Sequence, residues 1–271
     1  MGRVVLSNLN PQSVIHPEDR SAIINVVDNI PGVRTALKSV GEFYGKLTAI
    51  DYMGNGVVAT KESMPELHKH FVDTCNVVGL KDIPELATEW AYLISSYTVG
   101  GSKLRVVLSS GSVDLLDKEE QAFLMGQEIG HIVSGHLPYH MLLELLYTPV
   151  VDDPTFSLIA GAIKMPLLDW YRKSHYTADR FALLCCQDID VALRTMMKMA
   201  GLPQKYFESV NPKAFLLQAK DFSALQSDGV VKHLMTQYIR NSAALPWLVD
   251  RARVLMDWYN SGEYQKIIDN A

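Results

Sequence analysis

The segment from Asp117 to residue 136 constrains the fold of this chain more than any other. Asp117, with Glu120 three residues on, supplies an N-cap and an acidic first turn, so a helix is predicted over residues 118–136. Gln127 and His131 stand four residues apart within it. Side chains at that spacing lie one above the other on the same face of a helix. The segment therefore presents an amide and an imidazole side by side.

The pattern Gln127-Glu128-x-x-His131 differs at one position from the His-Glu-x-x-His pentad of zinc peptidases. In the intact pentad, two imidazoles one helical turn apart hold a metal, and the glutamate polarises the water on that metal. Here the glutamate and the second histidine are present, and a carboxamide takes the first ligand position. That one substitution decides whether a chain of this kind is an enzyme.

Three further segments extend the likeness. Residues 174–182, Ser-His-Tyr-Thr-Ala-Asp-Arg-Phe-Ala, resemble the Glu-Tyr-x-Ala-Asp motif of the HtpX-like and CAAX-prenyl-protease-related metallopeptidases, which are gluzincins. Residues 97–120 are similar to the edge strand and lead-in of that family, and residues 245–255 to its C-terminal segment. The resemblance spans roughly residues 60–265. It implies an α+β, zincin-like fold with a small antiparallel sheet, a helix-rich remainder and two site-bearing helices, over residues 118–136 and 173–187.

The resemblance also implies a site. His175 stands where the family has its glutamate ligand, so the implied zinc ligands are Gln127, His131 and His175. Glu128 takes the place of the general base, and Asp179 that of the aspartate that supports the first ligand. A late histidine of the family is replaced by Leu245. The edge-strand motif implies a substrate-binding strand, which would use Leu104, Val106 and Leu108 for main-chain pairing with a peptide.

Two interpretations of the altered ligands stay open. In one, losing an imidazole at Gln127 and gaining one at His175 leaves the number of ligands unchanged, and the protein hydrolyses peptide bonds with zinc. In the other, the site has drifted after catalysis was lost, and the protein is a pseudopeptidase that binds a peptide or partner protein in the same groove. The altered ligand set is also compatible with another metal-assisted reaction, on a small or peptide substrate.

Composition narrows the class of protein. The chain has 271 residues, 48% of them hydrophobic, and a net charge of -5 without a cluster of basic residues, which argues against nucleic acid as a partner. We expect N-terminal packing helices over residues 1–55 and a metallopeptidase domain over residues 56–271, as one compact unit. The most apolar stretch, residues 156–170, is interrupted by Lys164 and Pro166, so no transmembrane segment is predicted. The first thirty residues lack a signal-like apolar run, and the three cysteines are expected to be unbridged thiols. Both features favour the cytoplasm.

Local patterns give further expectations. A strand is predicted at residues 57–60, a helix with Ser63 as its cap at residues 63–78, and a hairpin from the runs 91–99 and 104–109. His136 is expected at the helix end, off the face of His131. His140 is expected to be solvated.

Overall fold

The computed structural model of the protein describes residues 2–29, 37, 50, 54–100, 103–147, 154–227, 229 and 247–271. Leu245 lies outside the described residues. Eleven helices occur within these ranges: α1 Pro11–Val14, α2 Pro17–Asn29, α3 Pro65–Val77, α4 Ser110–Leu115, α5 Lys118–Val133, α6 Leu137–Tyr147, α7 Pro154–Cys186, α8 Ile189–Met199, α9 Pro212–Ser227, α10 Leu248–Asn260 and α11 Glu263–Asp269. The four strands are β1 Gly56–Ala59, β2 Glu85–Glu89, β3 Ser96–Val99 and β4 Arg105–Ser109.

The sheet has the order β1-β2-β4-β3, and the α+β class is confirmed. The predicted hairpin is confirmed as the antiparallel pair of β3 and β4, but β2 runs parallel to β4, so the sheet is mixed rather than wholly antiparallel. The sequence Glu-Leu-Ala-Thr-Glu of β2 was not recognised as a strand, because it lacks the β-branched and aromatic enrichment of its neighbours.

This topology corrects the expectation that residues 104–109 form an edge strand. β4 lies between β2 and β3, and the side chains of Val106 and Leu108 are fully buried, with Leu104 partly buried just before the strand. A strand with neighbours on both sides has no ladder positions left for a peptide. The outer strand on this side of the sheet is β3.

Helix α5 is the central helix of the molecule. Its predicted start is confirmed by a capping box between Asp117 and Glu120, and every residue from Glu120 to His131 is buried. Helix α3 starts at Pro65, and its cap position is Met64 rather than Ser63, whose hydroxyl bonds to the Val58 carbonyl instead. α5 packs on the sheet and on α7 through a shared apolar core that includes Leu86, Val106, Leu108, Phe123, Ile129 and Phe181.

Two glycines let α5 approach α7 closely. A Cβ atom on Gly126 would lie 2.7 Å from the Ala182 Cα, and one on Gly130 would lie 2.8 Å from the Phe181 Cβ. Real Cβ atoms do not approach other atoms that closely, so only glycine fits at these two positions. The residues that follow them, Gln127 and His131, are thereby brought against α7.

Helix α7 runs from Pro154 to Cys186 with Pro166 inside it, so it begins well before the predicted start at residue 173 and includes the apolar stretch of residues 156–170. Among the described residues, no helix is both long enough and apolar enough to cross a membrane. The three cysteines are free and buried. The N-terminal residues pack on α7, since Trp170 Nε1 donates to Asp19 at 2.8 Å. The domain boundary at residue 55 stays a prediction.

Candidate metal centre

Five buried polar side chains on α5 need partners, because a buried polar group without a hydrogen bond is costly. Gln127 finds one in Asp179 on α7, to which its Nε2 donates at 2.7 Å. Asp179 also receives Nε and Nη2 of Arg251 from α10, at 2.8 and 2.6 Å. A carboxylate only accepts, so the amide turns its NH₂ group to Asp179 and keeps its carbonyl Oε1 for another partner.

His175 lies one turn before Asp179 on α7, with its ring against that of His131. The two ring centroids are 4.9 Å apart, and both side chains are buried. The Nδ1–H of His175 donates to the Tyr171 carbonyl at 2.8 Å. Its Nε2 is therefore the atom with the free lone pair.

Glu128 points to the sheet. Both of its carboxylate oxygens accept hydroxyl hydrogen bonds from β3, from Ser96 Oγ and from Thr98 Oγ1, each at 2.7 Å. Burial raises the pKa of this carboxyl group above its usual value, and the two hydroxyls oppose that rise. A carboxylate held in this way is a stronger proton acceptor than one in water.

A further group of histidines surrounds His131. Its Nδ1 lies 2.9 Å from Nδ1 of His136, and the His140 ring is 4.6 Å from the His131 ring. Ring nitrogens of the three residues all lie within 4.8 Å of one another, which makes them a possible metal-binding group among the described residues. Nε2 of His136 in turn contacts Asp19 Oδ2 at 3.1 Å.

His136 lies just past the helix end, as expected, but the expectations that it points away from His131 and that His140 is solvated were wrong. α5 ends at Val133, and the chain turns through Gly135, whose φ is +72°. Helical periodicity does not hold across such a turn, so the five-residue spacing gave a false direction for His136. His140 returns on α6 to stack on His175, and its ring is only partly exposed. Gly135, between His131 and the two later histidines, is the residue in the sequence that could have predicted this turn.

The comparison with known families matches residues 77–255, more than half of the chain, to Peptidase family M48. The chain belongs to peptidase family M48. One relative, the plastoglobule-localized metallopeptidase 48 of the chloroplast in Arabidopsis thaliana, is 26% identical over 276 residues, which cover 99% of this chain and 78% of that protein. No solved structure is significantly similar to the chain. The predicted family is thus confirmed.

M48 peptidases are zinc-dependent, and the histidines of the site in this M48 protein are in the protonation state that metal ligation requires. Burial lowers the pKa of His131 and His140 well below the usual value and that of His175 to about 3, so all three rings are neutral at physiological pH. Metal ligation needs the neutral form of imidazole.

The types of ligand atom are also ones that zinc accepts, namely imidazole nitrogen and oxygen. Gln127, His131 and His175 each have one polar atom engaged with the protein, at Nε2, Nδ1 and Nδ1 respectively. The other polar atom of each side chain remains available as a metal ligand. Hydrogen bonds that fix the far side of a ligand are the usual support of a metal site.

Proposed function

We propose that the protein is a zinc-dependent metalloendopeptidase whose metal is held by Oε1 of Gln127, Nε2 of His131 and Nε2 of His175. The observation that carries this proposal is the anchoring of all three side chains at the end opposite to the donor atom. A drifted and empty site has no need of such matched anchors, whereas a ligand set is oriented by them.

The absence of a charged group among the proposed ligands lowers the expected affinity for zinc. All three proposed ligands are neutral, whereas the family pattern includes an anionic glutamate. Asp179 does not replace that charge, because Arg251 pairs with it in the same buried position. An amide oxygen is also a weaker zinc ligand than imidazole. We therefore expect zinc that chelators remove easily.

Glu128 is the proposed general base. Ser96 and Thr98 fix both of its oxygens, so the carboxylate is oriented before substrate binds. Zinc, when bound, supplies the Lewis acid that lowers the pKa of water. Glu128 would accept a proton from the attacking water at one carboxylate oxygen as the water oxygen bonds to the peptide carbonyl carbon, and would return it to the leaving amine as the C–N bond breaks.

The substrate is a peptide in extended form. We place it along β3, because this strand is on the outside of the sheet and carries the two hydroxyls that bind Glu128. A peptide bond there is next to the general base. The relative's name places that protein in chloroplast plastoglobules, so the cytoplasmic location stays a prediction for this chain.

The first experiment is metal analysis of protein purified without chelator, followed by assays on an unstructured peptide. We expect substoichiometric zinc, no binding in His131→Ala and weakened binding in Gln127→Ala. Gln121→Ala is the matched control, since Gln121 is a buried glutamine on the same helix that bonds only to carbonyls of residues 113 and 116. It is expected to retain wild-type zinc content.

The second experiment uses Glu128→Gln, which keeps the size of the side chain and removes the base. Hydrolysis should be lost while zinc content stays unchanged, and the exposed Glu119→Gln should keep full activity. Zinc content equal in wild type and His131→Ala would contradict the proposed ligands. A protein that binds peptide without cutting it, and is indifferent to Glu128→Gln, would be the pseudopeptidase instead.

A further inference from the structure

The buried carboxylate of Asp19 lies behind the proposed site, at the end of a row of hydrogen bonds. Trp170 Nε1 donates to its Oδ1 at 2.8 Å, and the Thr177 hydroxyl donates to its Oδ2. The same hydroxyl oxygen accepts the His16 backbone N–H, so its hydrogen is available for Asp19. His136 Nε2 is the third group on Asp19, at 3.1 Å from Oδ2.

The carboxylate of Asp19 determines which atom donates in each hydrogen bond of this row. Asp19 receives an indole N–H and a hydroxyl, which is the pattern of an ionised carboxylate that only accepts. Burial alone would raise its pKa, but the bonds from His136, Thr177 and Trp170 outweigh burial, and the pKa is lowered. His136 must therefore carry its proton on Nε2, and in the neutral ring Nδ1 is left with a lone pair.

That lone pair faces His131. The two Nδ1 atoms are 2.9 Å apart, a hydrogen-bond distance at which one atom must donate. If His136 Nδ1 accepts, then His131 carries its proton on Nδ1. A neutral imidazole has only one N–H, so Nε2 of His131 is the free donor.

We propose that Asp19 and His136 are positioning residues, which hold His131 in the tautomer that offers Nε2 to the metal. The proposal rests on the function proposed above and extends it to residues outside the family match, since Asp19 precedes residue 77. The N-terminal segment is thereby part of the metal centre, through a carboxylate, imidazole, imidazole series in place of the usual carboxylate and imidazole pair.

The test begins with metal-free protein at pH 8, in which nitrogen NMR of the histidine rings reports the tautomer. Wild type should show His131 protonated on Nδ1. His136→Phe keeps an aromatic ring against Trp170 and cuts the series. We expect a mixture of His131 tautomers in this variant.

Zinc affinity from competition with a chelator is the second measurement. By analogy with other supporting groups, His136→Phe should weaken binding by roughly 10- to 100-fold. Thr177→Val is the matched control, because it also removes a hydrogen bond to Asp19 but leaves His136 in place. It should change affinity by less than about threefold and leave the tautomer unchanged.

Asp19→Asn is the second variant, for use if His136→Phe does not fold. It keeps an oxygen for His136 but removes the charge, so a smaller weakening of zinc binding is expected. An unchanged His131 tautomer in a folded His136→Phe or Asp19→Asn variant overturns the proposal. So does X-ray absorption of the zinc protein that shows three imidazoles together with loss of all binding in His136→Phe, because His136 would then be a ligand itself. Wild type that binds no zinc refutes the proposed function, while the tautomer in metal-free protein still tests the series.

Discussion

The two proposed ligands on α5 are supported in different ways. Gln127 is held by Asp179, and that carboxylate is neutralised by Arg251 in a fully buried ion pair. His131 is held by His136, and the charge behind it is Asp19, whose partners are neutral donors and a histidine. The Gln127 side relies on a permanent cation, whereas the His131 side relies on the tautomers of neutral imidazoles.

The supports of Gln127 and His131 come from different parts of the chain. Asp179 and Arg251 both lie within residues 77–255, the part of the chain that matches the family. Asp19 lies on α2, before that range. The support of the proposed ligand Gln127 thus lies inside the family match, whereas the proposed support of His131 extends to a segment outside it.

The largest expected effect comes from the ion pair on the Gln127 side. Arg251→Met leaves Asp179 buried and without its cation, which should lower the free energy of unfolding by about 3–5 kcal/mol. Arg253→Met on the same helix is the matched control, because Arg253 pairs with Asp250 and Asp257 near the surface and should cost less than about 1 kcal/mol. Urea unfolding of metal-free protein measures both. Equal losses in the two variants would remove the contrast between the buried and the exposed pair.

Acid should lower the free energy of unfolding through the buried histidines of the site. Because burial lowers the pKa of His131, His140 and His175 in the folded protein, the unfolded chain binds protons that the folded chain does not as the pH falls below about 6.5. Stability is then full above that pH and is lost as the pH falls, with a limiting slope of about 1.4 kcal/mol per pH unit for each histidine. For His175 the loss continues toward its folded pKa of about 3.

Urea unfolding of chelator-treated protein at pH 7.5, 6.5 and 5.5 measures this slope. His175→Asn should reduce it by the share of one histidine. If wild type and His175→Asn lose the same free energy of unfolding between pH 7.5 and 5.5, the His175 ring is not held neutral by the fold.

How much of this could be predicted from the sequence depends on the range of the interaction. Helix α5, its cap and the hairpin of β3 and β4 follow from local patterns, and they are confirmed. The position of β4 inside the sheet was missed, because the order of strands depends on the pairing with β2, which is distant in sequence and has a weak strand pattern. Burial of Val106 and Leu108 follows from that pairing.

Within the site, too, local motifs were predicted from the sequence and distant contacts were not. The likeness at Asp179 pointed to its neighbour Gln127, because both positions belong to motifs of one family. The contacts of His136 could not be derived, since a turn with positive φ separates it from α5. Asp19 carried no signal at all. Its role depends on a packing contact between α2 and α7 that joins residues more than 150 positions apart.

A smaller effect is expected at the glycines that bring α5 to α7. Gly126→Ala acts next to Gln127, where the new Cβ would meet Ala182 at 2.7 Å, and Gly130→Ala acts next to His131, against Phe181 at 2.8 Å. Each should cost about 1–3 kcal/mol by overpacking. Gly161→Ala on α7 is the control, since nothing lies within 4 Å of its added Cβ, and it should be neutral or slightly stabilising.

Thermal unfolding with and without zinc compares the two sides. Gly130→Ala should weaken zinc binding more than Gly126→Ala, because His131 contributes more to affinity than the amide of Gln127. A variant that loses stability but keeps wild-type affinity at both positions would mean that the spacing of the helices does not set the ligand geometry.

The smallest change in free energy is expected from restoring the family ligands on the Gln127 side. Gln127→His with His175→Glu returns two histidines and a glutamate, and Asp179 can accept the Nδ1–H of the new imidazole as it accepts the amide now. The added anion and the better donor should tighten zinc binding by at least about tenfold, which is about 1.4 kcal/mol.

Each single change should do less than half of this, because Gln127→His gains an imidazole without the anion, and His175→Glu loses the Tyr171 anchor while retaining the weak amide. Chelator competition on the four proteins of this cycle measures the coupling. His136→Phe in the restored background should still weaken binding, since it acts through His131 and not through Gln127. If the restored ligand set binds no more zinc than the natural one, the amide and the imidazole are not standing in for the family ligands, and the anchors at Asp179 and Tyr171 serve packing alone.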